Sequence, residues 1–394
     1  MIPEHYRKML GQKSAIREIF AYGMERAKVI GPENVFDYSL GNPSVAPPEQ
    51  FTQAMLDLLQ TSDPLTLHGY SPSLGIESVR HAIADSLRRR FGIAYEGRHI
   101  FPTTGAAGAV AHALRAVGRP GDRVLTFAPF FPEYRPYVEG AGLRLEVVPA
   151  HVEDFQIQFD ELEKRLAPDV AAVLINTPNN PSGVVYTEAT LRRLAALLKE
   201  KQREWGQPIY LISDEPYREI VFSDEPAPYP AALYPNTLTC YSFSKSLSLP
   251  GERIGYVAAG PDCAEAETII EICGQISRGI GHNCPPSIIQ LAVARCLDVT
   301  SDLRVYRTNR DILYKELTDL GFTCVEPGGT FYIFPKALEA DAGAFCKKAL
   351  QYDLLLVPGD SFGCPGYFRM AYCIDTDKVL RSLPALRKLA AEYR

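Results

Sequence analysis

Apolar residues in the middle of the chain come in short unbroken runs separated by amphipathic stretches. The runs Arg123–Pro129, Leu143–Pro149, Val170–Thr177, Pro208–Asp214, Leu238–Phe243 and Gly255–Ala259 are candidate strands. Most are continuous rather than alternating, the pattern of strands buried on both faces. Between them lie helical patterns. Gly105–Val117 is alanine-rich and is closed off by Gly118, Pro120 and Gly121. Thr187–Trp205 brings Leu191, Leu194, Leu197 and Leu198 to one face, with Thr187 as its N-cap. Strand–helix alternation of this kind predicts an α/β fold with a mainly parallel sheet covered by helices.

The two ends of the chain read differently. A helix over Gln12–Ile30 is followed by a Pro/Gly-rich extended segment from Gly41 to Pro48. After Pro285 come an interrupted helix over Ser287–Arg310, short strands near Thr323–Glu326 and Gly329–Phe334, and a closing helix near Thr376–Tyr393. These predict a smaller α+β domain built from residues 1–47 and 286–394, flanking an α/β domain over residues 48–285. No repeat, low-complexity tract or charge run interrupts the pattern.

Composition narrows the classes. At 394 residues the chain exceeds one ordinary core, so two domains are expected. Hydrophobic residues at 46% and charged residues at 22% are those of a soluble globular protein. The net charge of −6 is spread along the chain, whereas nucleic-acid binding needs a basic face. The N-terminal segment lacks the apolar stretch of a signal peptide, and no run approaches the ~18 apolar residues of a membrane span. The nine cysteines lie between Cys240 and Cys373 without a C-x-x-C pair, which fits reduced thiols and a cytoplasmic location. The seven histidines form no cluster, so no metal is expected.

The candidate chemistry gathers at strand ends, where open α/β folds place ligands. Lys245 sits in a hydroxyl-rich turn, Ser242 to Ser248, after the run ending at Tyr241, with Arg253 close behind. A lysine among hydroxyls and near a cation can have its pKa lowered and form a Schiff base; a solvated turn lysine is the plain alternative. Thr103-Thr104-Gly105-Ala106-Ala107-Gly108-Ala109 opens a helix whose N–H groups suit a phosphate, or only packs tightly. Phe130 and Phe131 follow a strand and offer a ring to stack on a flat ligand, unless they are core aromatics. Asn176 to Gly183 holds two Asn/Pro corners that aim an amide side chain. Asp214, in Ser213-Asp214-Glu215-Pro216-Tyr217, needs a cationic partner if buried, or caps a helix. Arg369 stands inside an apolar strand, matched to a carboxylate or to an internal salt bridge.

Together these supply a phosphate cradle, a stacking ring, an aspartate, a phenol-plus-amide pair, a lysine and a carboxylate fork, the groups a pyridoxal phosphate enzyme acting on an amino acid requires. Asn180-Pro181-Ser182-Gly183, Asp214-x-x-Tyr217 and Ser242-x-x-Lys245 with Arg253 resemble the class I/II aminotransferases of fold type I, in order and over essentially the whole chain. The resemblance implies a seven-stranded, mainly parallel sheet and pyridoxal 5′-phosphate as cofactor. It also implies roles. Lys245 would anchor the cofactor as a Schiff base and then act as the base at Cα. Asp214 would pair with the ring nitrogen, Tyr217 and Asn180 with the ring's phenolic oxygen, and Phe131 would stack on the ring. Gly105, Ala106 and Ala107 would cradle the phosphate, with Ser242 and Arg253. Here the chain departs from the family, which usually has a hydroxylated residue where Ala106-Ala107 stand. Arg369 and Asn180 would bind the substrate α-carboxylate, and Gly41 belongs to a segment that closes over substrate. Tyr70 would reach the phosphate of a second copy, which implies a homodimer.

The side chain of the substrate is less constrained. Arg278 stands at about the distance from Lys245 at which aspartate aminotransferases carry an arginine that reaches the partner's site and binds the distal carboxylate; a surface-loop arginine is the competing account. The resemblance therefore points to aspartate or glutamate with 2-oxoglutarate, and next to an aromatic amino acid. The same fold also hosts carbon–sulfur and cyclopropane-forming lyases. It hosts non-catalytic sensors too, whose extra DNA-binding domain finds no room in about 30 residues before the arm.

Overall fold

A computed structural model describes Arg7 and residues 15–394 of the chain. Strand β1 (Phe36–Asp37) precedes a seven-stranded sheet of β2 (Ile100–Thr103), β3 (Arg123–Phe127), β4 (Arg144–Val148), β5 (Val170–Asn176), β6 (Tyr210–Asp214), β7 (Thr237–Ser242) and β8 (Gly255–Ala259). The strand order is β2-β8-β7-β6-β5-β3-β4. Only β8 opposes the rest, pairing antiparallel with β7 and with β2. The continuous apolar runs are explained by two buried faces. On β5, Ala172 and Leu174 enter one apolar cluster while Val173 and Ile175 enter another on the opposite side. Tyr210 and Ile212 against Leu211 repeat that alternation on β6.

Six of the seven strands coincide with the apolar runs. The seventh, β2, carries Pro102 and is bonded only to β8, an edge position that tolerates a residue without an N–H. The helix Gly105–Val117 lies across β7 and β8, and Glu188–Trp205 begins where Thr187 Oγ1 accepts from Thr190 N at 3.1 Å. No helix among the described residues is long and apolar enough to cross a membrane.

The chain ends meet in a second core. Phe36 pairs with Leu354 and Asp37 with Leu355 where β1 lies parallel to β10 (Leu354–Leu355). Beside them β9 (Tyr332–Ile333), β11 (Val357–Pro358) and β12 (Phe368–Ala371) form an antiparallel sheet in the order β11-β12-β9. Tyr38, Tyr306, Leu313, Phe331, Phe345, Phe368 and Leu386 are buried together there, and each such side chain contributes roughly 1.5–3 kcal/mol by leaving water. The Tyr38 hydroxyl meets Ser382 Oγ at 2.6 Å, which satisfies the phenol inside that core.

Three expectations for the ends are refined. The N-terminal helix is seen over Ala15–Ile30, and residues 12–14 of its expected span lie outside the described residues. Residues 323–326 form no strand: Pro327, Gly328 and Gly329 follow at once, and Lys336 N donating to Thr323 O is not continued into a ladder. The helix expected over Ser287–Arg310 is two helices, Ser287–Ala294 and Arg304–Asp319. The first shares the core of Phe51, Leu58 and Ile83 through Ile289 and Val293, so the passage to the C-terminal core follows Ala294.

Candidate active site

The C-terminal ends of β5, β6 and β7 stop beside one another, because Asn176 is in register with Asp214 and Asp214 with Cys240. Above that edge, and closed from the other side by β9, β12 and the segment before Gly41, lies a cavity of about 310 Å³. Lys245, Asp214, Tyr217, Asn180, Phe131, Ala106, Ala107, Ser242, Arg253, Arg369 and Gly41 all line it.

Lys245 is presented by the one-turn helix Phe243–Ser246, whose N-cap Ser242 accepts from Ser244 N. Its Nζ donates to Gly41 O at 2.6 Å and lies 5.3 Å from the centroid of the Phe331 ring. Burial pushes this amine down to about 8, with Arg253 and Arg369 acting in the same direction and Cys373 against it. The lysine therefore reaches its neutral, nucleophilic form near pH 8, well below the range of an ordinary lysine.

Asp214 ends β6. Its Oδ2 accepts from the Tyr134 hydroxyl at 2.6 Å, and its Oδ1 is buried with no hydrogen-bond partner among the described residues. Burial raises this carboxyl to about 7; the Tyr134 bond opposes the rise and neighbouring Glu215 adds to it. Asn176 Nδ2 donates to the Asp214 carbonyl at 2.8 Å and so fixes the strand end. Directly behind, Glu215 and Arg218 form an ion pair of 2.7 Å with side chains 2% and 5% exposed, and the Arg218 guanidinium lies 4.6 Å from the Tyr241 ring centroid. A buried carboxylate oxygen left open toward a cavity is a seat for a cation or an N–H donor.

Arg369, on β12, is 2% exposed. Nη1 donates to Asn180 Oδ1 at 3.1 Å, Nη2 donates to Ser39 O, and Nε has no partner among the described residues. None of the ion pairs among the described residues involves it, so the internal salt bridge allowed by the sequence is not formed. Burial lowers its pKa without a carboxylate to compensate. A planar cation in that condition suits a carboxylate that arrives from outside. Asn180 is aimed by its own loop: Asn176 Oδ1 accepts from Asn180 N at 2.7 Å, and Asn179 Oδ1 accepts from Ser182 N at 3.0 Å.

At the other end of the cavity the helix Gly105–Val117 begins. Gly105 has φ of +82°, and a Cβ there would come within 2.8 Å of Arg253 Nη2. Glycine is thus required both by the backbone and by the close approach of the arginine. The free N–H groups of this helix start and the Arg253 guanidinium converge on one spot, an arrangement suited to a phosphate.

Two expected site residues stand apart in the single chain. Tyr70 is fully exposed and Arg278 is exposed near the end of the helix Ala266–Gly279, and neither lines the cavity. Others were not expected from sequence. Tyr134 holds Asp214, Tyr332 meets Tyr217 with hydroxyls 3.2 Å apart, and Arg17 lies 3.9 Å from Glu133 where both line the cavity. Tyr134 stands three residues beyond Phe131, and Tyr332 follows Gly328-Gly329-Thr330-Phe331, but no local pattern tells that these rings face Asp214 and Tyr217. Among the described residues no cluster of His, Cys, Asp and Glu could hold a metal ion.

Comparison with known proteins agrees with this geometry. The family model described as aminotransferase class I and II matches residues 33–386. Among curated relatives, the aspartate aminotransferase of Thermotoga maritima is 30% identical, with 89% of this chain and 90% of that one covered. The aromatic-amino-acid aminotransferase 2 of Thermococcus litoralis is 29% identical, with 97% and 96% covered. Among solved structures, an amino transferase from Eubacterium rectale superposes with a TM-score of 0.96 at 43% identity over the whole of both chains. The aspartate aminotransferase from Thermus thermophilus with maleate gives 0.87 at 26% identity, covering 99% of this chain and all of that one.

Proposed function

The chain belongs to the class I and II aminotransferases, and on that premise we propose that it moves an amino group between aspartate or glutamate and a 2-oxo acid, 2-oxoglutarate foremost. It is a pyridoxal 5′-phosphate enzyme, as that family is. The observation that carries the reading is the pairing of two orphaned groups across one cavity: the unpartnered Asp214 Oδ1 and the buried, carboxylate-free Arg369. The first fits a protonated ring nitrogen and the second a substrate carboxylate.

When bound, the cofactor supplies an electron sink for the pair left behind at the substrate Cα. The rest falls to the chain. Gly105, Ala106 and Ala107 hold the phosphate on backbone N–H groups, with Arg253 and Ser242 beside them. Phe131 would cover one face of the ring. Asp214, held by Tyr134, would keep the ring nitrogen protonated. Tyr217 and Asn180 would donate to the ring's phenolic oxygen. Arg369 and Asn180 orient the substrate by its α-carboxylate so that the Cα–H bond faces Lys245. Lys245 would act as the base that takes the Cα proton and returns it on the other side of the transfer. Gly41 and Leu40 lie over the lysine and help to keep water out.

The division of labour along the chain belongs to the same proposal, with the boundary expected at residue 285 moved past the helix Ser287–Ala294: residues 48–294 bind the cofactor, and residues 1–47 and 295–394 form the smaller body. So does a homodimer in the cytoplasm, in which Tyr70 and Arg278 serve the partner's cavity. Both side chains are exposed and lie outside the cavity of their own chain, which supports that use.

Aspartate or glutamate is favoured by relatives named aspartate aminotransferase, one of them crystallised with maleate, a dicarboxylate. An aromatic donor is the second reading, favoured by a cavity wall that includes Phe131, Tyr134, Tyr137 and Tyr332 and by the relative from Thermococcus litoralis. Oxo-acid release from twenty amino acids against 2-oxoglutarate separates them. If aspartate leads, Arg278→Ala should lower its kcat/KM about 100-fold, the scale of one lost interfacial charge pair, and leave an aromatic donor unchanged. Equal aspartate rates in wild type and Arg278→Ala remove the dicarboxylate reading.

The depressed Lys245 amine gives a pH prediction. Below about 8 most of this lysine is charged and inert; above it the neutral form dominates. Cofactor uptake by the apoenzyme, followed by reductive trapping, should rise through pH 8 and level off. A rise delayed to the ordinary lysine value of 10.5 contradicts the buried setting.

A further inference from the structure

We propose that Tyr332 is a positioning residue with two separable parts: its hydroxyl strengthens Tyr217 as a donor, and its ring holds the Arg369 guanidinium. The proposal rests on the reading above, in which Tyr217 bonds the cofactor's phenolic oxygen and Arg369 the substrate carboxylate.

Tyr332 is 3% exposed on β9 and lines the cavity between those two residues. Its hydroxyl is 3.2 Å from that of Tyr217, and the two rings meet edge to face with centroids 5.7 Å apart. No other hydrogen bond is made by either hydroxyl among the described residues. A phenol that donates into the cavity has its lone pairs free, so Tyr217 accepts from Tyr332 as it donates onward. A donor that itself accepts a hydrogen bond is polarised and binds its acceptor more strongly. On the other side the Arg369 Cζ lies 4.7 Å from the Tyr332 ring centroid. That cation over the ring fixes the plane of the fork and draws electron density from the phenol, which improves its hydroxyl as a donor. The arrangement is tight: a Cβ at Gly41 would overlap the Tyr332 hydroxyl. Since Gly41 O is the acceptor for Lys245 Nζ, the closing segment reaches the lysine only because residue 41 has no side chain above Tyr332.

The consequence is read in the resting, cofactor-loaded enzyme. A stronger donor at Tyr217 favours the negative phenolic oxygen and lowers the pH at which the nitrogen joining Lys245 to the cofactor gives up its proton. That pH is the midpoint at which the visible band is lost. Tyr332→Phe removes the hydroxyl and keeps the ring, so the midpoint should rise by about 0.5 unit while the KM for the amino acid stays within about twofold. Tyr332→Leu removes both, so it should raise the midpoint as much and the KM about tenfold as well. Tyr217→Phe should raise the midpoint further than either. The midpoint is taken by absorbance titration and needs no turnover. Should Tyr332→Phe leave the midpoint at the wild-type value while Tyr217→Phe moves it, the hydroxyl relay is wrong and the reading of Tyr217 stands. If neither moves it, the contact of Tyr217 with the cofactor falls, and the proposal with it. Equal KM values for the Phe and Leu variants overturn the role of the ring. Far-ultraviolet circular dichroism of each variant, matched to wild type, excludes a folding defect as the source of any change.

Discussion

Lys245→Ala is expected to yield a protein without the Schiff-base absorption band, with a transamination rate lower by at least about 10⁴-fold. Two losses combine. A positioned general base is worth about 10²–10⁴ in rate, and alanine has no atom with which to accept the Cα proton. The covalent attachment disappears at the same time, and with it the pre-organised exchange of one amine for another. Among the described residues Lys245 is the only lysine lining the cavity, so none of those is placed to substitute. Its surroundings also cannot be reproduced by an amine from solution: burial lowers this lysine to about 8, whereas a free alkylamine stays charged. The structure should survive the change, because Nζ makes one hydrogen bond, to Gly41 O, and the helix carrying Lys245 is capped by Ser242 without it. Cofactor should still bind through the phosphate cradle and Asp214, so a dialysed sample retaining pyridoxal phosphate without its visible band is the expected state. The checks are an absorbance spectrum and a coupled oxo-acid assay on the same preparation. Wild-type turnover in this variant would end the account.

Asp214→Asn should lower kcat about 10²- to 10³-fold while the protein keeps its fold and colour. The carboxylate of Asp214 is buried, raised to about 7, and anchored through only one oxygen. A cation arriving at Oδ1 restores its charge, so the pair stabilises both partners. Losing one member of such a buried charged pair costs about 2–5 kcal/mol, and each 1.36 kcal/mol is tenfold in rate. The amide keeps the shape and can still accept from Tyr134, so the loss should fall on kcat and less on KM. Tyr134→Phe frees Oδ2 and should give a smaller loss of the same kind. A kcat for Asp214→Asn within threefold of wild type would mean that the ring nitrogen lies elsewhere.

These effects depend on contacts of very different legibility. The helix Gly105–Val117 and the Thr187 cap are written in local signals: an alanine-rich period, a closing glycine, a side-chain oxygen three residues before the N–H it accepts from. Lys245, Asp214, Asn180 and Arg369 were legible because each breaks a local rule, a charge or amide where the pattern calls for something apolar or for a plain turn. Strand β2 was hidden because Pro102 argues against a strand unless the sheet edge is known. Residues 323–326 misled for the opposite reason: their strand-like composition meets a single backbone bond, from Lys336 N to Thr323 O, and no ladder. Tyr134 and Tyr332 are invisible locally, since a buried tyrosine in a core and a tyrosine aimed at Asp214 or Tyr217 have the same sequence context. Only the meeting of Asp214 at the end of β6 with Tyr134, and of Tyr217 just beyond it with Tyr332 on β9, distinguishes them.

The most direct test of the central claim is to reduce the cofactor-loaded enzyme with borohydride, digest it and map the modified lysine by mass spectrometry. The account predicts one pyridoxyl group per chain, on Lys245. A pyridoxyl group on any other lysine, or none on a protein that is coloured and active, would contradict it.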